Sequence, residues 1–232
     1  MPFKKKLIVF TGAGVSADSG IKTFRDAGGL WEQYRIEDVA TPEAWEKNRN
    51  LVLDFYNQRR AQVLKAKPNE AHYFIADLQD KFDITVITQN VDDLHERAGS
   101  KHVLHLHGII TKARSTVDEL LIYEVNKNGI QVGDTCEKGS QLRPHIVWFG
   151  EAVPEMDRAN LLAARADLFV VIGTSLNVYP AAGILNFVMP HAPKWLLDPA
   201  DFDLHEVKDL NHIKKKAVAG IKDLQKDLWK YL

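Results

Sequence analysis

The sequence holds a single cysteine, Cys136, in 232 residues. One thiol excludes an intrachain disulfide and fits a reducing compartment, so a cytoplasmic location is expected. Charge of one sign is also missing. The formal net charge is −1, which gives no global basic field for nucleic acid or an anionic membrane. The short runs Lys4-Lys5-Lys6 and Lys214-Lys215-Lys216 read as solvated faces. No apolar run approaches the ~20 residues of a membrane-spanning helix. The run Leu7 to Phe10 follows basic residues but is too short for a signal-peptide core. No internal repeat or low-complexity tract is present. The remaining composition, 45% hydrophobic and 26% charged, is that of a globular protein with one large domain, or a core with a small companion. A monomer is expected.

The most informative stretch is Leu7 to Arg25, LIVFTGAGVSADSGIKTFR. An apolar run breaks into Gly12-Ala13-Gly14, with Ala17 three residues beyond the second glycine. This is the G-x-G-x-x-[GA] order of a strand–turn–helix dinucleotide site. Glycines allow close backbone approach to a pyrophosphate, and a following helix N-terminus favours its charge. In an ordinary unit of this kind a second strand ends in a ribose-binding acid ~20 residues on. Lys22 to Glu37 does not read as that strand. It is polar, contains Gly28-Gly29, and carries Phe24, Trp31 and Tyr34. It reads as a long loop laid over a bound ligand.

Short apolar runs recur at Leu7–Phe10, Ile84–Thr88, Val103–Leu106, Ile146–Phe149, Leu168–Ile172 and Lys194–Leu197. Helical patterns lie between them, at Glu43–Ala66, Glu70–Lys81, Val91–Ala98, Met156–Ala166, Ala181–Met189 and Lys214–Tyr231. Continuous apolar strands alternating with helices predict an α/β fold: a Rossmann-like parallel sheet covered on both faces. Two segments break the alternation. Residues 22–81 and 111–142 are read as insertions forming a smaller, discontinuous second domain. Residues 1–21, 82–110 and 143–232 make the main domain. Ligands of such sheets bind beyond the carboxyl ends of the strands.

Three more segments stand at predicted strand ends: Thr88-Gln89-Asn90-Val91-Asp92, His105-Leu106-His107-Gly108 and Gly173-Thr174-Ser175-Leu176-Asn177-Val178. With the glycine stretch, in this order, they resemble the sirtuins, NAD-consuming protein-lysine deacylases. The resemblance runs from about Leu7 to about Pro180 and more loosely to the C-terminus. It implies NAD as cofactor, acylated proteins as partners, and nicotinamide and O-acyl-ADP-ribose as products.

The resemblance also implies roles. His107 is the base that activates a ribose hydroxyl, a task suited to a pKa near working pH. The bland alternative is a structural histidine at a strand end; it suits His102 and His105, whereas catalysis is the favoured reading for His107. Gln89 is assigned to the ribose, and Asn90 and Asp92 to the nicotinamide pocket and catalysis. Either of the last two could also cap the helix that follows. Gly12, Ala13, Gly14, Ser16, Ala17, Gly173, Thr174 and Ser175 meet the cofactor. Phe24 would exclude water from a reactive ribosyl species, and Arg25 would pair with a phosphate or hold the loop. Val147, Phe149, Gly150, Asn177 and Val178 match segments between which a substrate peptide pairs as a strand.

Tyr56 and Arg59 sit at i, i+3 on a predicted helix, on one face. A phenol beside a guanidinium suits an acyl chain ending in a carboxylate. The pair resembles the Y-x-x-R of sirtuins that remove succinyl, malonyl or glutaryl groups, many of which also deacetylate.

The chain departs from the family in two places. Most sirtuins carry C-x-x-C twice in the interval that here runs from Gly108 to Leu142, binding zinc. This interval has only Cys136, with Ser115 about where a first ligand would stand, and tetrahedral zinc needs four ligands. No metal is expected. At the last strand Asp198 stands where an asparagine usually meets the adenosine ribose. Two other readings remain: NAD glycohydrolase or mono-ADP-ribosyltransferase activity, and a non-catalytic NAD-sensing module.

Overall fold

The structure, a computed structural model, describes residues 4–21, 33–174, 176, 179–201 and 209–232. The strands are β1 (Lys6–Thr11), β2 (Asp83–Thr88), β3 (Val103–His105), β4 (Gly108–Ser115), β5 (Ile122–Glu124), β6 (Leu142–Ile146), β7 (Leu168–Ile172), β8 (Lys194–Leu197) and β9 (Leu210–Ile213). The helices are α1 (Ile36–Val39), α2 (Pro42–Lys47), α3 (Arg49–Lys65), α4 (Glu70–Asp77), α5 (Leu94–Arg97), α6 (Met156–Ala164) and α7 (Ala217–Leu228).

Six strands form one sheet in the order β3-β2-β1-β7-β8-β9, every pairing parallel. The central strands are apolar throughout because both faces are covered. Leu7, Val9, Val86, Val170 and Trp195 pack against Ala71 and Ile75 of α4 and Ile221, Leu224 and Leu228 of α7. The alternate residues Ile8, Phe10, Phe169, Val171 and Leu196 face Ala159 and Ala163 of α6 and Ile184 and Leu185. Each large aliphatic residue buried this way contributes about 1.5–3 kcal/mol. The chain steps outward to β2 and β3 on one side of β1, and to β8 and β9 on the other side of β7. The reversal between β1 and β7 is where doubly wound sheets bind dinucleotides.

A second sheet is antiparallel, in the order β5-β4-β6. Its Ile110, Ala113 and Ile146 share a core with Val39, Trp45, Val52, Phe55, Tyr56 and Trp148. The α1–α3 segment and the small sheet therefore bury their apolar faces against each other.

Several expected boundaries move. The run Ile146–Phe149 is not a strand of the main sheet; the strand is β6, and it pairs with β4. Within β6, Arg143 is buried against Glu151 and Trp148 and His145 is half-buried, so the strand is polar although it is largely enclosed. The pattern Glu43–Ala66 is two helices. Thr41 caps α2 ahead of Pro42, and the Asn48 side chain accepts from Leu51 N–H at 3.1 Å to restart the chain as α3. The Ala181–Met189 pattern is a 3-10 stretch, Ala181–Phe187. The edge strand β9 is an unanticipated addition. The glycine turn leads into two 3-10 turns, Ala13–Val15 and Ala17–Ser19, rather than an α-helix. No helix among the described residues is long and apolar enough to cross a membrane.

Candidate functional site

The carboxyl ends of β1, β2 and β7 bring the glycine turn, Gln89 and Gly173 together. Gly14 N–H donates to Gly173 O at 2.8 Å. A Cβ on Gly14 would lie 2.7 Å from Gly173 Cα, and one on Gly12 would lie 2.6 Å from Thr174 Cβ. These glycines are required first for loop against loop, which the sequence had suggested as room for a pyrophosphate. Gln89 Nε2 donates to Thr174 Oγ1 at 3.0 Å, linking the ends of β2 and β7 across β1.

His107 lies between β3 and β4, and its Nδ1 is 3.0 Å from Gln89 O. A carbonyl can only accept, so Nδ1 carries the proton and Nε2 keeps a lone pair. Burial lowers the His107 pKa, with the Gln89 carbonyl acting in the opposite direction. The ring is therefore a neutral base at pH 7. His105, two residues earlier, is a structural histidine. Its Nδ1 meets Asn90 O at 3.0 Å and its Nε2 meets Glu96 Oε1 at 2.7 Å. Burial alone would lower the His105 pKa, but the Glu96 carboxylate reverses this and raises it.

Asn90 and Asp92 are buried and converge on Ser16. Asn90 Nδ2 donates to Ser16 Oγ at 3.1 Å, and Ser16 Oγ donates to Asp92 Oδ2 at 3.0 Å. Asp92 Oδ1 also accepts from Leu94 N–H at 3.2 Å, so it starts α5 as well. Burial raises the Asp92 pKa against these hydrogen bonds. The side-chain amide oxygens of Gln89 and Asn90 accept no hydrogen bond among the described residues. They are therefore available to hydroxyl and amide donors. That donor and acceptor set, at the switch point of the sheet, fits the ribose and carboxamide of NAD.

Asp198, at the end of β8, accepts from Ala200 N–H at 2.9 Å. Val147 N–H donates to His107 O at 3.0 Å, and Phe149 N–H donates to Ala40 O at 3.0 Å. The Phe149 side chain is exposed, and Gly150 sits beside it at φ +90°. Phe24, Arg25, Ser175, Asn177 and Val178 lie outside the described residues.

Tyr56 and Arg59 share α3. Tyr56 is buried beside Trp148, ring centroids 6.4 Å apart, and burial raises its phenol pKa. Arg59 reaches over the Phe55 ring, 5.8 Å from its centroid. Burial lowers the Arg59 pKa, while the charges of Tyr56 and Asp92 act in the opposite direction.

Where zinc would be expected, Cys136 Sγ lies 3.4 Å from Ser115 Oγ and 3.2 Å from Ser140 Oγ, and the two hydroxyls are 2.9 Å apart. Asp118 is paired with Lys138 at 2.7 Å. Among the described residues no three His, Cys, Asp or Glu side chains gather as a metal site. One thiol and two neutral hydroxyls do not fit structural zinc.

Sequence reasoning missed most of the layer beneath the site: Thr11, Asn69, His72 and His95, which with Thr88 of the Thr88–Asp92 motif are hydrogen-bonded toward it. Only Asn69, a cap ahead of a helical run, left a local signal.

The Sir2 family model matches residues 12–180. An NAD-dependent protein deacylase of Bacteroides thetaiotaomicron is 50% identical over 226 residues, covering 95% of this chain and 97% of that protein. One from Helicobacter pylori is 48% identical, covering 97% of each. Among solved structures, a Sir2 homologue bound to NAD superposes with a TM-score of 0.86 at 40% identity, over 98% of this chain and 91% of that one. A mutant Sir2 homologue bound to ADP-ribose gives 0.87 at 40% identity, over 98% and 93%. The chain belongs to the Sir2 family.

Proposed function

We propose that this chain is an NAD-dependent protein-lysine deacylase that removes succinyl or malonyl groups, with acetyl-lysine as a further substrate, and that it works without zinc. NAD, when bound, supplies the ribose that receives the acyl group, giving nicotinamide and O-acyl-ADP-ribose. The remaining chemistry falls to the chain's own residues. The Gly12–Ala17 turn approaches the pyrophosphate, Gly173–Ser175 meet a phosphate or the adenosine ribose, and Arg25 pairs with a phosphate or holds the loop. Gln89 holds a ribose, and Asn90 and Asp92 hold the carboxamide. Asp198 meets the adenosine ribose. His107 takes a hydroxyl proton on Nε2, and Phe24 keeps water out. Val147, Phe149, Gly150, Asn177 and Val178 flank the peptide. Tyr56 and Arg59 bind the terminal carboxylate of the acyl chain. Residues 22–81 and 111–142 form a small domain, and the cleft between it and the main domain holds the substrates.

The observation that carries the reading is the His107 tautomer: Nδ1–H tied to Gln89 O and Nε2 left as a base, next to the Ser16–Asn90–Asp92 cluster. The two relatives described above are named NAD-dependent protein deacylases, which supports it. The test is turnover of succinyl-, malonyl- and acetyl-lysine peptides with NAD, followed by mass spectrometry, for wild type, His107→Ala and Arg59→Met. Desuccinylation abolished at His107 and selectively weakened at Arg59 is expected. Deacetylation indifferent to Arg59 removes the acidic-acyl assignment. Free ADP-ribose without peptide turnover points to a glycohydrolase or ADP-ribosyltransferase, and NAD binding without product to a sensing module.

A further inference from the structure

Ser16, His72 and His95 are wholly buried beneath the glycine turn, and Thr11, Thr88, Asn90 and Asp92, which join them, are no more than 8% exposed. His72 occupies the first turn of α4. Asn69 N–H donates to His72 Nδ1 at 3.3 Å, and the Asn69 side chain accepts in return from Ala71 N–H at 2.9 Å. A ring nitrogen that accepts from an amide carries no proton, so the His72 proton sits on Nε2. Burial lowers the His72 pKa to about 4, which keeps the ring neutral and this tautomer in place at pH 7.

His72 Nε2 lies 3.4 Å from Ser16 Oγ. Two N–H groups therefore converge on that oxygen, from His72 and from Asn90 Nδ2. Both of its lone pairs are used, and its one proton goes to Asp92 Oδ2 at 3.0 Å. The arrangement has a direction: donor from His72, through Ser16, to the Asp92 carboxylate. It also orients the Asn90 amide. Nδ2 turns down to Ser16, and the amide oxygen turns away from it.

A second chain holds the Asn90 backbone. His95 Nε2 lies 3.0 Å from Thr11 Oγ1, Thr11 Oγ1 donates to Thr88 Oγ1 at 2.8 Å, and Thr88 Oγ1 accepts from Asn90 N–H at 3.0 Å. The His72 and His95 rings stand 4.9 Å apart, so the two chains rise from one buried base.

We infer that His72 is a positioning residue for carboxamide recognition: its Nε2–H fixes the Ser16 hydroxyl, which fixes which face Asn90 and Asp92 present to nicotinamide. This rests on the assignment of Asn90 and Asp92 to the nicotinamide pocket. A carboxamide has a donor and an acceptor at opposite ends. A pocket that recognises it must hold its own amide in one of two orientations, and a flip replaces two hydrogen bonds with two repulsions. The second-layer donor selects the orientation.

Two variants separate positioning from packing. His72→Asn keeps an acceptor for Asn69 N–H but cannot reach Ser16. His72→Gln reaches Ser16 with an N–H. Inhibition by nicotinamide, a product, reports the carboxamide pocket, and calorimetric ADP-ribose binding reports the remainder of the site. The expected result is about a tenfold rise in half-inhibitory nicotinamide for His72→Asn, as for one lost hydrogen bond. ADP-ribose affinity is expected to stay within about twofold, with His72→Gln close to wild type. His72→Asn combined with Ser16→Ala should be no worse than Ser16→Ala alone, because the two act in series. Unchanged inhibition in His72→Asn, equal effects of Asn and Gln, or parallel loss of ADP-ribose binding would overturn the inference. Asp92→Asn is measured alongside. If it too leaves nicotinamide inhibition unchanged, the pocket assignment itself fails; if only the His72 variants are silent, the assignment stands and the inference falls.

Discussion

Asn57 holds Ile130 with both ends of its side-chain amide: Nδ2 donates to the Ile130 carbonyl at 2.9 Å, and Oδ1 accepts from Ile130 N–H at 3.0 Å. Three positions on, Arg60 Nη1 donates to Asn126 O at 2.7 Å. The helix that carries Tyr56 and Arg59 is thereby tied to the segment 126–130, which follows β5. Asn57→Ala leaves the Ile130 amide and carbonyl unpaired and should cost about 1–3 kcal/mol in urea unfolding. Because α3 loses its anchor, KM for a succinyl peptide should rise more than KM for NAD.

The Cys136–Ser115–Ser140 cluster stands where zinc would be expected. If the chain folds without zinc, as proposed, thermal unfolding should move by no more than about 1 °C with a strong chelator. Cys136→Ser should cost about 1 kcal/mol or less. A large chelator-dependent drop would mean that a metal holds the lobe.

Glu151 follows Gly150 in the chain and anchors a network of two arginines. Its carboxylate accepts from Arg143 at 2.6 and 3.0 Å and from Trp148 N–H at 2.8 Å, and it meets Arg114 at 3.4 Å. Arg143 lies flat on Trp148, 3.3 Å from the ring centroid, and Trp148 walls Tyr56. Glu151→Ala strands two buried guanidiniums and should destabilise by about 3–5 kcal/mol. Denaturant midpoints for Ala and Gln at this position measure the charge contribution separately from the hydrogen bonds.

Gly173 has φ +63°, and a Cβ there would lie 2.4 Å from Val15 N. Gly173→Ala should lose about 2–4 kcal/mol, through left-handed strain and displacement of the glycine turn. ADP-ribose affinity should fall with it. Gly20 has φ +83° with nothing within 4 Å of a Cβ. Gly20→Ala should therefore cost only about 1 kcal/mol, and calorimetric titration of both variants should separate strain from crowding.

Stability should decline in mild acid through histidines held neutral. Burial lowers His72 and His145 from 6.5 to about 4. Between those values the unfolded chain binds the protons first, so stability is full above pH ~6.5 and is lost as pH falls toward ~4. His72 alone accounts for about 3 kcal/mol of this. His105 has the opposite sign: burial would lower its pKa, but Glu96 raises it. Its contribution is complete below its unfolded value and is lost as pH rises through the folded one. Urea midpoints should therefore peak near pH 6.5, and His72→Gln should flatten the acid limb.

Much of the site was legible because its parts lie at the ends of apolar strands. Gly12 and Gly173 follow strands that are buried almost throughout, Gln89 follows the buried Val86–Thr88, and His107 follows the short, half-buried β3; a parallel sheet brings such ends to one edge. Strand boundaries were harder to read where polar residues enter a strand: β6 contains the buried Arg143 and the half-buried His145, and β9 is a half-buried edge strand. The break of Glu43–Ala66 into two helices was available in Thr41-Pro42 and Asn48, both capping signals.

What the sequence determined by itself is the alternation of fully apolar strands with helices, and hence a sheet covered on both faces. It also determined the glycines at turns where no Cβ fits. Only the tertiary structure decided the order β3-β2-β1-β7-β8-β9, which puts the switch point between Gly12 and Gly173. It alone placed His72 under Ser16, Asn57 against Ile130 and Glu151 between two arginines. A buried polar group must find a partner, but the partner's identity depends on which distant segments the closing core brings together, and no local periodicity encodes that.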